Sequence, residues 1–113
     1  MFEEELRDIF EEFEIDIKSF EETNNTIIIK GEYKFDLIEI DAAMSYSEEF
    51  EDSEEKVMEA NSYLQDIAYD NIIDLSDEIT EEFEFTSVNN EIIPIDEELE
   101  VKRSLNFIIY IKK

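Results

Sequence analysis

The chain of 113 residues contains no His, no Cys and no Trp, and it has one Gly and one Pro. Without His and Cys, the usual zinc and haem sites, disulfides, thiol nucleophiles and serine–histidine triads are excluded. A single glycine also excludes the glycine-rich loops that hold phosphates. Basic residues are scarce too, because 9 Lys and Arg stand against 34 Asp and Glu, a net charge of −25. Direct binding to nucleic acid or to an anionic membrane is therefore not expected, since like charges repel.

Apolar residues are nevertheless frequent enough to form a core. They make up 42% of the chain, and Ile and Phe dominate among them. No run of 18 apolar residues is present, so no transmembrane helix is expected. The acidic start of the sequence is the opposite of a basic signal-peptide start. The sequence therefore predicts one acidic domain over residues 1–113 in the cytoplasm, which is the host cytoplasm if a phage encodes the protein.

The first third of the chain combines a helical pattern with strand-like alternation. Apolar residues within 2–13 recur every three or four positions, which predicts a helix. The spacing then changes to alternation, which predicts a strand, and Thr-Asn-Asn at 23–25 is a turn signal. Odd-numbered positions within 27–37 share one apolar face across Gly31. Two arrangements fit this segment: one long strand with a bulge at Gly31, or a hairpin with a three-residue loop there.

A second helix is predicted in the middle of the chain, with several candidate starts. Ser45-Tyr46-Ser47-Glu48 has the form of a capping box, and Asp52 and Ser53 are rival caps. An apolar stripe at helical spacing covers residues 57–72 and could extend to Phe83. The end of this helix is left open, because the next segment alternates Phe with Glu like a strand.

The last third of the chain predicts strands. The alternating segment spans about residues 81–87, Asn89-Asn90 is a turn signal, and residues 92–95 form a short edge strand that tolerates proline. A long final strand follows within 99–111. Together these elements predict an α+β fold with a mainly antiparallel sheet of four to six strands and two or three helices. Ile108 and Tyr110 make the second face of the final strand apolar, which is typical of a central strand covered on both sides.

No pattern in the sequence selects a catalytic or metal site. Any two of the 34 acids could act as an acid–base pair, but no spacing distinguishes one pair, so we expect no enzyme. Asp70, Asp74 and Asp77 share a helical spacing, and residues 96–98 form an acidic run. Neither matches the calcium-binding EF-hand loop, which requires a central glycine. We therefore expect solvated acidic surfaces, with no cofactor and no metal.

Three acidic runs carry the strongest functional signal. Solubility requires a net charge of magnitude only about 2–8 in a small domain. Like charges four residues apart also destabilise a helix by a few tenths of a kcal/mol per pair. The chain carries more negative charge than folding and solubility need, which indicates that its electrostatic field has a function. The predicted partner-binding residues are Glu48, Glu49, Glu51, Asp52, Glu54, Glu55 and Glu59 in the first run, Asp77, Glu78, Glu81, Glu82 and Glu84 in the second, and Asp96, Glu97 and Glu98 in the third.

These runs predict a partner with a basic groove. B-DNA presents about one negative charge per 1.7 Å of its axis, and carboxylates on helices and strands can reach comparable spacings. A folded acidic surface can then occupy the Lys/Arg groove of a nucleic-acid-binding protein. The sequence thus predicts a non-enzymatic inhibitor that excludes DNA or RNA, and it leaves the oligomeric state open. The alternative is an immunity protein or antitoxin that neutralises a basic toxin.

The chain resembles small phage-type DNA-mimic inhibitors in its size, its charge and its lack of His and Cys. It also shares with them acidic runs such as Glu48-Glu49-Phe50-Glu51-Asp52. This class includes anti-CRISPR and anti-restriction proteins. The resemblance is one of composition over residues 1–100, which carry −29, and it implies no particular topology. It implies a stoichiometric inhibitor of a CRISPR effector, a restriction enzyme or a similar protein. Residues 101–113 carry +4 and depart from a uniformly acidic mimic.

Overall fold

In the computed structural model, which describes residues 1–95 and 100–113, the first and third helices pack against one face of a four-stranded sheet, and the second helix packs against the third. The strand order is β1-β2-β4-β3, and all neighbouring strands are antiparallel. This architecture confirms the predicted α+β fold. The elements are α1 Glu3–Glu12, β1 Asp16–Glu22, β2 Thr26–Lys34, α2 Leu37–Ser47, α3 Ser53–Glu82, β3 Ser87–Ile92 and β4 Ser104–Lys112.

The core lies between the sheet and the helices α1 and α3. Alternate residues of β2 and β4 point inward and are almost completely buried, which fits the period of two in a strand. They meet the apolar stripes of α1 and α3 in one continuous cluster. The helix predicted within residues 2–13 and the turn predicted at 23–25 are both confirmed.

The end of α1 holds the one residue with a left-handed backbone among those the structure describes. The amide of Glu14 donates to the carbonyl of Glu11 at 3.0 Å, and the amide of Ile15 donates to that of Phe10 at 2.9 Å. This pair of hydrogen bonds is the Schellman motif, in which the residue after the cap is usually glycine. Glu14 has φ 57°, a conformation that is strained for a residue with a Cβ.

Gly31 lies inside a continuous strand, so the hairpin alternative is wrong. It pairs with Ile17 of β1 and Phe107 of β4, and its φ is not positive. The bulge is in the neighbouring strand β1, between Ile17 and Ser19. The ring of Phe107 lies directly over Gly31 and stacks on Phe10 of α1, with ring centroids 6.3 Å apart. A Cβ at Gly31 would lie 2.7 Å from Cε1 of Phe107 and closer still to Cζ, so glycine is needed here for the close approach of this ring.

The helix α2 was not predicted from the sequence. The carboxylate of Asp36 accepts the amide of Glu39 at 2.7 Å, and the carboxylate of Glu39 accepts the amide of Asp36 at 3.0 Å. This reciprocal pair is a capping box. The box predicted at Ser45 is therefore wrong, because Ser45 lies within α2 and Glu48 is its C-cap. Leu37, assigned to the strand face from the sequence, begins this helix and is 72% exposed.

The helix α3 is 30 residues long and is the longest element. Of the candidate caps, Asp52 is the N-cap, and its carboxylate accepts two backbone amides of the first turn at 2.8 and 3.3 Å. The apolar stripe continues through Leu75 and Ile79, which are fully buried. The strand predicted at 81–87 is consequently wrong, because α3 runs through residue 82 and the next strand begins at Ser87.

The strand β3 lies at the edge of the sheet and pairs only with β4. The turn predicted at Asn89-Asn90 is wrong, since both residues form part of the ladder with β4. The side-chain amide of Asn90 donates to Oγ of Ser76 on α3 at 3.3 Å. The predicted edge strand at 92–95 is correct only for Ile92, where β3 ends, and Pro94 follows the strand.

The strand β4 occupies a central position, as predicted, but it begins at Ser104. The predicted start at Leu99 lies outside the described residues, and Val101 precedes the strand. Ile108 is half-buried and Tyr110 is 40% exposed on the outer face of the sheet. The expectation that both faces are covered is therefore wrong, because the helices pack against the other face.

Residues on both sides of positions 96–99 are held to α3 by polar side chains. Oε1 of Gln65 accepts the amide of Ile95 at 3.0 Å. Asn61, which is 2% exposed, donates from Nδ2 to the carbonyl of Glu100 at 3.1 Å and accepts the amide of Lys102 at 2.8 Å. Burial of this asparagine costs little, because both polar groups of its side chain are hydrogen-bonded.

The two ends of the chain meet at one corner of the sheet. The ring of Phe2 packs edge-on against Phe83 and Phe85, with centroids 5.7 and 5.0 Å apart. The ammonium of Lys113 lies 5.4 Å from the centre of the Phe2 ring and 2.6 Å from a carboxylate oxygen of Glu22. At 13% and 15% exposure, the side chains of Lys113 and Glu22 form the most buried of the described ion pairs.

We expect Gly31→Ala to lower the free energy of unfolding by about 1–3 kcal/mol, the usual cost of overpacking a core. The measurement is urea denaturation of Gly31→Ala, Phe107→Leu and the double variant. If the Phe107 ring causes the clash, the double variant will be more stable than the sum of the two single penalties predicts. Strictly additive penalties would contradict this explanation.

We expect Glu14→Gly to raise the free energy of unfolding by about 1 kcal/mol, because glycine removes the strain of a left-handed residue. Glu14→Ala is the matched control, since it removes the same charge but keeps the Cβ. Thermal denaturation of the two variants distinguishes relief of backbone strain from removal of the charge. An equal gain in Glu14→Ala would assign the effect to charge instead of backbone conformation.

Candidate partner-binding surface

A single line of carboxylates runs along the solvent side of α3. Its members are spaced by three, four or seven residues, and at 3.6 residues per turn such spacings fall on one face of a helix. This face is opposite the buried stripe that includes Leu64, Ile72 and Ile79. All members are exposed except Glu59, which is half-buried. We call this surface the acidic stripe, and it consists of Glu55, Glu59, Asp66, Asp70, Asp74, Asp77 and Glu81.

The acidic stripe is long, and none of its members forms an ion pair with the described residues. From Glu55 to Glu81 it spans 27 residues of α3, and the 26 rises between them correspond to about 39 Å at 1.5 Å per residue. Ion pairs among the described residues involve carboxylates at positions 3, 16, 22 and 100, all of them outside α3. Lys56 is the one base in α3, so the helix presents most of its negative charges to solvent without an ion pair.

The first predicted run, residues 48–59, lies at one end of the molecule. Glu48 is the C-cap of α2, Glu49 and Glu51 lie in the connection, and Glu54 is in the first turn of α3. The first turn of a helix favours negative charge because the backbone amides point toward it. Asp52 has a structural task in addition, as the N-cap of α3. Of this run, only Glu55 and Glu59 belong to the acidic stripe.

The second run, residues 77–84, divides between two surfaces. Asp77 and Glu81 lie on the acidic stripe. Glu78 and Glu82 instead face α1 across a groove of about 500 Å³, and Glu84 lies beyond the end of α3. The opposite wall of this groove includes three further acids, Glu5, Asp8 and Glu12.

Several carboxylates lie close together where this groove meets the end of α3. Partial desolvation raises the pKa of Glu78 above its ordinary value, and the carboxylates of Glu82, Glu81 and Glu12 shift this pKa in the same direction. The C-terminal end of a helix disfavours negative charge, and α3 has no base in its last turn. The acids of this region therefore oppose helix stability.

The third predicted run, Asp96, Glu97 and Glu98, lies outside the described residues. Its flanking residues Ile95 and Glu100 are hydrogen-bonded to α3, as described above.

Three members of the acidic stripe, Asp66, Asp70 and Asp74, were not among the predicted site residues. The signal was present, because Asp70, Asp74 and Asp77 already show helical spacing in the sequence. Asp66 and Asp70 fall within the helix predicted over 57–72, whereas placing Asp74, Asp77 and Glu81 on the same line requires α3 to continue to residue 82. A similar, shorter line of acids occurs on α1 and consists of Glu4, Asp8 and Glu11.

The molecule as a whole is elongated, with principal dimensions of 52 × 22 × 19 Å. At 3.4 Å per base pair, a B-DNA segment 52 Å long has about 15 base pairs and about 30 phosphate charges. The chain carries −25 over the same length. Its length and total charge therefore match those of a short duplex.

Aromatic side chains lie close to the first run. The ring of Tyr46 stacks on Tyr63 with centroids 5.2 Å apart and packs against Phe50 at 5.9 Å. Tyr46 is 42% exposed. The cluster thus joins α2 to α3 while leaving part of its aromatic surface accessible.

Tyr33 has a strongly shifted pKa but lies in a structural network. Burial and a hydrogen bond from its hydroxyl to Glu39, 2.7 Å long, raise the pKa of Tyr33 far above its ordinary value. The same hydroxyl accepts a hydrogen bond from Nδ2 of Asn71 at 3.1 Å. Tyr33 therefore connects β2 with α2 and α3.

Within residues 1–95 and 100–113, no group of three or more acidic side chains is placed to hold a metal ion. No helix in the same part of the chain is both long and apolar enough to cross a membrane. No protein-family model, no curated protein and no solved structure matches this chain.

We expect thermal stability to rise as the pH falls from 7 toward 4.5, and to decrease again below that range. The raised pKa of Glu78 means that its protonation favours the folded state, so its contribution is lost as the pH rises above 4.5. The hydrogen bond from Lys113 lowers the pKa of Glu22, so the contribution of Glu22 is lost as the pH falls below 4.5. Circular-dichroism melts over this range measure both effects.

Two neutral variants show which carboxyl group causes each change in thermal stability. Glu78→Gln should reduce the gain on mild acidification, and Glu22→Gln should reduce the loss at lower pH. Added NaCl should raise the melting temperature at pH 7, because it screens the repulsion among unpaired carboxylates. A melting temperature that falls with salt would contradict the view that self-repulsion dominates.

Proposed function

We propose that this protein is a nucleic-acid-mimic inhibitor without enzymatic activity. The acidic stripe occupies the basic groove of a nucleic-acid-binding protein, such as a CRISPR effector or a restriction enzyme, and excludes DNA or RNA from it. The observation that supports this proposal is the line of seven carboxylates, none of them ion-paired with the described residues, along about 39 Å of one helix. We expect the protein to act in the cytoplasm.

The stripe is well suited to this task because it is held rigidly. The side of α3 opposite the stripe is buried in the core, and Leu64, Ile72 and Ile79 there have no exposed surface. A rigid helix loses little conformational entropy when it binds, so its charges contribute more fully to affinity. A large field of one sign also steers a basic partner and accelerates association.

The electrostatic cost of the stripe supports a role in binding. Several neighbours along it are four residues apart, including Glu55 with Glu59 and Asp70 with Asp74. Each like-charge pair of this kind costs a few tenths of a kcal/mol, whereas a Glu–Lys pair at the same spacing would stabilise the helix. The acids near the end of α3 add the unfavourable interaction with the helix dipole. Folding alone gives no reason for this arrangement.

The dimensions of the molecule support mimicry of a duplex. A body 22 × 19 Å in cross-section and 52 Å long can enter an extended basic channel along its whole length. In the basic groove of the partner, carboxylates fixed to one folded chain would take the place of the phosphates of about 15 base pairs.

Neutralising part of the acidic stripe should abolish partner capture. The test uses the tagged protein to capture partners from a cell lysate, with identification by mass spectrometry, and compares wild type with the triple variant Asp70→Asn, Asp74→Asn, Asp77→Asn. We expect at least a tenfold loss of the captured partner, because the centre of the charge line is removed. A duplex of about 15 base pairs should displace the same partner from the wild-type protein.

The matched control is the triple variant Glu4→Gln, Asp8→Asn, Glu11→Gln. It removes three charges at the same spacing from α1, so both triple variants have the same net charge. Asp52 stays unchanged in every variant, because its loss would uncap α3. Equal losses in the two triple variants would show that only the net charge matters and would contradict the proposal. A captured toxin that the duplex cannot displace would instead identify an immunity protein.

A further inference from the structure

The outer face of the sheet differs electrostatically from the rest of the molecule. The ladder register places alternate residues of all four strands on this face. With Lys18 at the bulge included, four acids and four bases lie there, so the face has no net charge. They are Asp16, Glu21, Glu32 and Glu91, and Lys18, Lys30, Lys34 and Lys112. The net charge of the chain therefore resides almost entirely on its other surfaces.

Three of the four acids on this face are also engaged by neighbouring side chains. Lys34 pairs with Asp16 at 3.0 Å on the same face. The hydroxyl of Ser104 donates to Glu32 at 2.9 Å, and the hydroxyl of Tyr110 donates to Glu91 at 3.3 Å. This compensation contrasts with the acidic stripe, where no such partners occur among the described residues.

The centre of the face is apolar. Ile28 of β2 and Tyr110 of β4 are directly opposite each other in the ladder, and Ile108 lies next to them. Tyr110 is 40% exposed, while the two isoleucines are half-buried. A depression of about 180 Å³ beside Tyr110 is lined in part by Asn89 and Lys112. Apolar residues surrounded by polar ones are typical of protein–protein interfaces.

We propose that this outer face binds a second copy of the same chain. Two copies that each carry −25 repel one another through every strongly acidic surface, and the neutral outer face is where they can approach most closely. The equal numbers of acids and bases there allow oppositely charged side chains of the two copies to face each other across a two-fold axis. Sheet-on-sheet packing of two such faces is a common arrangement.

The available area makes the dimer weak. Four strands of up to nine residues cover about 19 × 30 Å, so two faces bury at most about 1,100 Å² in total. This area lies slightly below the range of about 1,200–2,000 Å² for stable specific interfaces. We therefore expect a dissociation constant in the micromolar range or weaker. The dimer would direct its two acidic stripes away from each other.

The salt dependence of binding distinguishes this dimer from an electrostatic complex with a basic partner. Added salt screens the repulsion between two acidic copies, so it should strengthen the dimer. The same salt should weaken any complex between the acidic stripe and a basic protein. The proposal does not depend on the proposed function, because the two faces are different and respond to salt in opposite directions.

The experiment is analytical ultracentrifugation of the full chain from about 1 μM to 1 mM, at low and moderate NaCl. We expect a concentration-dependent shift from monomer to dimer that increases with salt. Tyr110→Lys should raise the dissociation constant at least tenfold, because it places a charge at the apolar centre of each copy. Asn89→Lys, at an exposed position beside Tyr110, should act in the same direction and is a second variant if Tyr110→Lys fails to fold.

Tyr69→Lys on α3 is the matched control. It introduces the same residue at a similarly exposed tyrosine, 48% against 40%, on the opposite side of the molecule. It should leave the dissociation constant of the dimer within a factor of two. A monomer at every concentration and salt level would overturn the proposal, and so would equal weakening by Tyr69→Lys and Tyr110→Lys.

Discussion

Repulsion among 25 uncompensated negative charges is the constraint on which the rest of this structure depends. A folded chain of this charge must separate its carboxylates while still burying enough apolar surface. The long helix α3 does both, since one side is an apolar stripe and the opposite side carries well-spaced acids. The sheet contributes the other wall of the core and a neutral outer face. The fold is thus divided into a charged helical side and an uncharged sheet side.

Polar side chains on α3 attach the rest of the chain to this helix. Asn61 and Gln65 hold the backbone on both sides of positions 96–99, and Asn71 binds the hydroxyl of Tyr33 at the end of β2. Each of these contacts joins residues at least 30 positions apart in the sequence. The stripe therefore lies on an element that is fixed at several points along its length, as the proposed mimicry of nucleic acid would require.

Local patterns predicted some elements correctly and failed where two patterns competed. The helix at residues 2–13 was correct because one apolar face repeats there without interruption. The sequence pattern does not predict α2, because Leu37 continues the alternating face of β2 at the point where Asp36 and Glu39 cap the helix. The Phe-Glu alternation at 81–87 favoured a strand, but burial of Ile79 keeps the helix intact to residue 82. Asn89-Asn90 resembles a turn, yet pairing with β4 determines its conformation.

The sequence by itself determined three properties of this protein: its net charge, its lack of residues for thiol, imidazole and disulfide chemistry, and its α+β class. Only the tertiary structure decided which acids act together, because the stripe exists only when α3 is continuous and buries its opposite side. It also decided why the single glycine is at position 31, since the ring of Phe107, 76 residues away in sequence, lies over it. The physical reason is the same in both cases: sequence spacing defines neighbours within one element, whereas burial and contact between distant elements are set by packing.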